Sequence, residues 1–311
     1  MTAVLPRQQE AGESQARVIV QLLGGLGNQM FQYALGRAIS HRTGAPLLLD
    51  TNVMKFARQE TPRSYDLDIF KLQPTFATRA DVSRYHPHGA GIVEKIVHRL
   101  RGAQGASEIL HQYRFEYQPG ILYLKAPIYI TGYWQSHRYF SGIEDVLRSD
   151  LTFRDALPPG ATDYAQAIAR PGAICLHVRR GDYTDPKHAH FIGPCDIDYY
   201  RRAVARVREL VEQPVFFIFS DDLAWCRANF DWLEGAARFV EYATPPGCKV
   251  HASDLQLMTR TEYFIVANST FSWWAAWLAG ERAKLVIAPR EWFKHPQLKT
   301  DDLIPARWER L

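Results

Sequence analysis

A chain of 311 residues, 47% hydrophobic and 13% aromatic, exceeds what one core usually organises, so two globular domains are expected and a disordered chain is excluded. The formal net charge of +4 suits an acidic ligand, but Lys and Arg are interspersed with Asp and Glu, so nothing in the balance calls for nucleic acid. No apolar run reaches the roughly 18 to 20 residues of a spanning helix, and the polar start, with Glu10 and Glu13, lacks the layout of a signal peptide.

Cys175, Cys195, Cys226 and Cys248 are widely spaced and form no C-x-x-C pair, which argues against both a zinc site and a disulfide framework. Free thiols in a reducing compartment are the expectation. The cytoplasm is therefore the predicted location, with peripheral attachment at the inner face of the membrane as the variant.

Residues 1–16 read as a disordered tail. Arg17 to Leu23 then reads as a strand running into Gly24-Gly25-Leu26-Gly27-Asn28, and Met30, Phe31, Ala34, Leu35 and Ala38 give the next segment a helical face as far as Arg42. Gly44 sits where a helix C-cap belongs, and Pro46 to Asp50 reads as a second buried strand. From Thr51 to Gly120 the pattern is irregular apart from a basic helix at Val93 to Arg101. Strand character returns at Ala126 to Trp134, a helix follows at Tyr139 to Leu151, and Pro158-Pro159-Gly160 is the candidate linker. Two domains follow from this reading, 17–160 and 161–311.

The second half is better patterned. Apolar runs at Ala173 to Val178, Val215 to Ser220, Tyr263 to Ala267 and Leu285 to Ala288 alternate with helical patterns at Asp198 to Glu212, Asp221 to Asn229 and Ser253 to Arg260. Such alternation predicts an α/β fold with a parallel sheet covered on both faces, whose ligands bind beyond the carboxyl ends of the strands. Three polar clusters fall at those ends.

The first is His177-Val178-Arg179-Arg180-Gly181-Asp182. Two guanidinium groups at the end of a buried strand match the oxygens of a diphosphate, since the planar fork of arginine is always ionised. The plain alternative is a surface cation pair. The second, Phe219-Ser220-Asp221-Asp222, reads as a helix N-cap or as an acidic pair, and no third acid is placed to complete a metal site. The third, Asn268-Ser269-Thr270-Phe271-Ser272, opens a helix where hydroxyls and free amides can hold phosphate oxygens, and the Trp273, Trp274 and Trp277 that follow read as core or interdomain packing in preference to stacking platforms. Gly24, Gly25 and Gly27 at the first strand-to-helix turn either admit a ligand close to the backbone or serve the turn itself, and the Asn28 and Gln29 amides can bond sugar hydroxyls or phosphate. Asp254 is placed to cap its helix or to accept from a guanine edge.

Taken together, Gly24-Gly25-Leu26-Gly27-Asn28-Gln29-Met30-Phe31-Gln32-Tyr33-Ala34, His177 through Tyr183, and Ile265 through Ala276 resemble one family, the glycosyltransferase family 11 α-1,2-fucosyltransferases, above all its bacterial members. The resemblance runs from Val18 to Trp292. It implies the GT-B architecture, two Rossmann-like domains facing across a cleft, with GDP-fucose in the C-terminal domain and a galactose-terminated acceptor glycan in the N-terminal one. It also implies inversion at the fucose anomeric carbon, Arg179 on the diphosphate, Asp254 on guanine, His177 against the nucleotide, and no metal or other cofactor. With the residue readings, the donor-binding set is Gly25, Gly27, Asn28, Arg179, Arg180, Asp222, Asp254, Asn268, Ser269, Thr270 and Ser272, and catalysis is assigned to Arg179, Asp182 and His177. Asp182 is the first choice for general base; Asp185, His190 and the GDP phosphate are the alternatives, and Asp182 could equally serve only to orient an arginine. A noncatalytic sugar-nucleotide or glycan binder is the competing reading. A Rossmann oxidoreductase is disfavoured because G-x-G-x-x-G is missing.

Overall fold

The structure, a computed structural model, describes residues 16–56, 63–83, 85, 109–189, 191–295 and 298–311. Residues 1–15 of the expected tail, the segment 93–101 expected to form a basic helix, and His190 lie outside the described residues. Two all-parallel sheets organise the chain. The first contains β1 (Val18–Gln21), β2 (Leu47–Asp50), β3 (Thr75–Phe76), β4 (Ile109–His111) and β5 (Ile128–Thr131), in the order β3-β2-β1-β5-β4. The second contains β6 (Ala173–Val178), β7 (Val215–Ser220), β8 (Ala237–Phe239), β9 (Tyr263–Ile265), β10 (Leu285–Ala288) and β11 (Glu309–Arg310), in the order β11-β10-β9-β6-β7-β8. That second order is the doubly wound one, and its direction reverses between β6 and β9. The corresponding reversal in the first sheet lies between β1 and β5.

β6 is buried at every position, as a central parallel strand covered on both faces must be. Helix α1 (Leu26–Thr43) leaves β1 through the glycine turn and stops at Gly44, whose left-handed φ of 71° ends the helix as anticipated. Asp196 caps the Ile197–Arg208 helix by accepting from the Tyr199 N–H at 2.7 Å, and Ser269 caps Thr270–Ala279 through the Phe271 N–H.

Several boundaries differ from expectation for local reasons. The helix predicted over Tyr139 to Leu151 is a 3₁₀ turn at His137–Tyr139 followed by Glu144–Asp150, broken around Ser141-Gly142. Pro158-Pro159-Gly160 opens the Pro159–Ile168 helix instead of forming a separate linker, because proline at the first helical position gives up no hydrogen bond. The helix after β7 begins at Leu223, with Asp222 as its cap.

The two sheets share one apolar core. Phe31 on α1 lies 4.6 Å from the Trp273 ring and 5.0 Å from Trp274, and Phe140 stacks on Trp274 at 5.3 Å. All four are buried, and burying each phenylalanine contributes about 2 kcal/mol. The tryptophans are thus packing between halves, as predicted. All four cysteines are free, and among the described residues no helix is long and apolar enough to cross a membrane.

Candidate active site

The shared core brings the two reversal points together. Trp274 donates its indole N–H to the Gly27 carbonyl at 3.0 Å, and the Thr270 hydroxyl donates to Asn28 Oδ1 at 3.2 Å. A Cβ on Gly27 would stand 2.5 Å from Thr270 Oγ1. The heads of α1 and of the Thr270–Ala279 helix therefore meet, and their amide ends make that junction electropositive.

Beside it opens a cleft of about 610 Å³ lined by Arg63, Arg179, Gly181, Asp182, Thr184, Asp185 and Pro186. Arg179 projects from the end of β6 and pairs with Asp182 at 2.5 Å and with Asp221 at 2.9 Å. Arg63, from the first half, meets the other oxygen of Asp182 at 3.0 Å. One carboxylate thus sits between two guanidinium groups. Burial works to raise the Asp182 pKa, but the Arg179 and Arg63 guanidinium groups and the hydrogen bonds to the carboxylate hold it below the usual carboxylate range.

Arg180 turns aside. It bonds Asp222 at 3.2 Å and lies 4.0 Å over the Trp225 ring, while Asp222 also accepts from the Trp225 N–H at 3.0 Å. Arg179 and Arg180, adjacent in sequence, thus face different surroundings. His177 is 5% exposed and its pKa is pushed down to about 3, first by burial and then by Arg179, so the imidazole is neutral at pH 7. Its Nδ1 finds no partner among the described residues.

The third motif works mainly inside the protein. The Asn268 amide donates to the carbonyls of Ile192, Gly193 and Trp292, fixing the loop that follows the arginine motif, and Ser272, also buried, bonds the Ser269 carbonyl at 3.3 Å. Asn28 accepts from Gln135 at 2.8 Å as well as from Thr270, and Gly25 lies against Arg63. Asp254 stands apart on the Val250–Met258 helix, half-buried and bonded by the Tyr242 hydroxyl at 2.7 Å; desolvation raises its pKa to about 6 against that bond. Among the described residues no hydrogen bond or ion pair joins it to the arginine cluster.

One site residue escaped the sequence reading and another was given the wrong emphasis. Arg63 lies in the stretch without periodicity, where no signal marks it. Asp221 was weighed with Asp222, yet Asp221 is the one that reaches Arg179.

Two doubly wound sheets meeting across an arginine-lined cleft define the GT-B class of fold. The model of the family described as glycosyl transferase family 11 matches residues 114–311. An α-1,2-colitosyltransferase of Escherichia coli is 30% identical over 94% of this chain and 98% of its own length. A galactoside α-(1,2)-fucosyltransferase 2 of Hylobates lar is 25% identical over 86% of this chain and 71% of its own. The chain belongs to glycosyltransferase family 11 and is an enzyme of that class. The fold also resembles NodZ, an α-1,6-fucosyltransferase co-crystallised with GDP, at TM-score 0.50 and 16% identity, covering 86% of this chain and 93% of that one.

Proposed function

We propose that this enzyme transfers L-fucose from GDP-fucose to the 2-hydroxyl of a terminal galactose, with inversion, at the cytoplasmic face where surface glycans are assembled. The observation that carries the reading is the convergence of Arg63 and Arg179 on one anionic group beside two helix heads. Breaking the sugar–phosphate bond leaves extra charge on GDP, and preorganised guanidinium and amide groups stabilise that charge most in the transition state. In this reading residues 161–311 hold the donor, with Asp254 on the guanine, and residues 17–160 hold the acceptor.

The acceptor side is supported by Tyr113 and Tyr133, 86% and 44% exposed, which leave β4 and β5 just beyond the paired residues His111 and Thr131. Open rings beyond the ends of two paired parallel strands suit the apolar face of a pyranose. In this reading arginines meet the diphosphate charge, and Asp221 and Asp222 are each engaged by an arginine. Asp182 is a weak base while both guanidinium groups hold it, and becomes a better one when the diphosphate draws them off. His177 supports the strand end as a neutral imidazole.

Incubation with GDP-fucose and lactose, with the product linkage read by NMR, tests the assignment. A fucosyl-α-1,2-galactose product is expected, and a complex without a new trisaccharide would overturn this pairing of donor and acceptor. Because one relative is named for colitose, a colitose-bearing nucleotide is the second donor to assay.

A further inference from the structure

We propose that Arg63 is a ligand of the donor diphosphate contributed by the N-terminal half, and that the Asp182 carboxylate on Arg63 occupies the position a phosphate oxygen takes on binding. The inference rests on the reading of the cleft as a sugar-nucleotide site and adds a residue that lies outside the three motifs.

Arg63 begins a segment that is fastened from both halves. The buried Gln29 side chain donates to the carbonyls of Gly24 at 3.0 Å and Ser64 at 2.8 Å and accepts from the Asp66 N–H at 2.9 Å. From the C-terminal half, Lys249 donates to the Tyr65 carbonyl at 3.1 Å and to the carboxylates of Asp66 at 3.2 Å and Asp68 at 2.7 Å. The backbone that carries Arg63 is thereby set before any ligand arrives, which lowers the entropic cost of using it.

The competition for charge singles out this side chain. Arg179 divides its charge between Asp182 and Asp221, and Arg180 is held by Asp222 and the Trp225 ring. Among the described residues Asp182 is the sole carboxylate on Arg63. Two guanidinium groups bracketing one carboxylate have the spacing to bracket a phosphoryl group, which offers more oxygens and more charge. Arg63 therefore exchanges one carboxylate for the diphosphate, drawing the first half onto a ligand carried by the second.

Calorimetric titration of the full chain with GDP and with GMP tests this. The wild type should bind GDP more tightly than GMP. Arg63→Gln should weaken GDP by about tenfold or more and GMP much less, with Arg63→Lys recovering part of the loss. The loss should persist in an Asp182→Asn background, where no carboxylate remains for Arg63 to orient. An unchanged GDP-to-GMP ratio in Arg63→Gln, or a loss that vanishes beside Asp182→Asn, overturns the proposal and leaves the donor reading standing. A wild type that fails to bind GDP overturns both.

Discussion

The indole of Trp274 and the carbonyl of Gly27, 3.0 Å apart, tie the head of one helix to the head of the other, so core packing and site geometry are set by the same contact. A methyl added at Gly27 would lie 2.5 to 2.7 Å from Thr270, with a backbone carbon among the atoms met, and could not be accommodated by a side-chain turn alone. Gly27→Ala should cost about 1–3 kcal/mol in chemical denaturation and should lower activity through the displaced helix heads. Unaltered stability would mean that the halves adjust freely at this junction.

Arg179 and Arg180 should separate sharply in kinetics. Arg179→Ala removes the cleft-lining guanidinium and should lower turnover by about 100-fold or more, on the scale of losing one oxyanion donor. Arg180→Ala removes a group already occupied by Asp222 and Trp225, so its loss should stay below about tenfold. Comparable turnover losses in the two variants would contradict the division of roles.

Much of this was legible because long apolar runs announce themselves. The fully buried run at 173–178 is a central strand wherever it is read, and its polar continuation had to emerge at a strand end. Edge strands such as β8 and β11, three and two residues long, carry too little pattern to be seen. Arg63 is harder still, because its position depends on the buried Gln29 amide holding a loop 35 residues away. The Asp221–Asp222 pair shows a finer limit: both follow the strand, and only the path of the turn decides that one caps a helix while the other meets Arg179.

Charge compensation by arginine also makes a prediction about metals. With Asp221 and Asp222 already paired, activity should survive excess chelator, and added Mg²⁺ or Mn²⁺ should restore nothing. A chelator-sensitive rate rescued by one divalent ion would show that these acids leave their arginines to take a metal.

On the acceptor side, Tyr133→Ala removes a ring that the fold does not need for its core, being 44% exposed. The KM for lactose should rise by about tenfold while GDP affinity stays as in the wild type. Equal effects on donor and acceptor would place Tyr133 elsewhere in the mechanism.

Asp254 offers a pH test that is separate from catalysis. Burial raises its folded pKa from 3.8 to about 6, against the hydrogen bond from Tyr242. The folded value exceeds the unfolded one, so the stability contributed by the neutral acid is complete below about pH 4 and is lost as pH rises through 6. Above that, the fold carries a desolvated carboxylate. Asp254→Asn keeps an oxygen for the Tyr242 hydroxyl without the charge, and should gain up to about 2 kcal/mol over the wild type at pH 7 to 8, the gap closing toward pH 4. Thermal melts of the two proteins across that range decide the matter, since every other titrating group is common to both. A gap that is constant with pH would show that Asp254 is solvated in the folded protein, and the same variant should lose its preference for GDP over ADP if the carboxylate reads guanine.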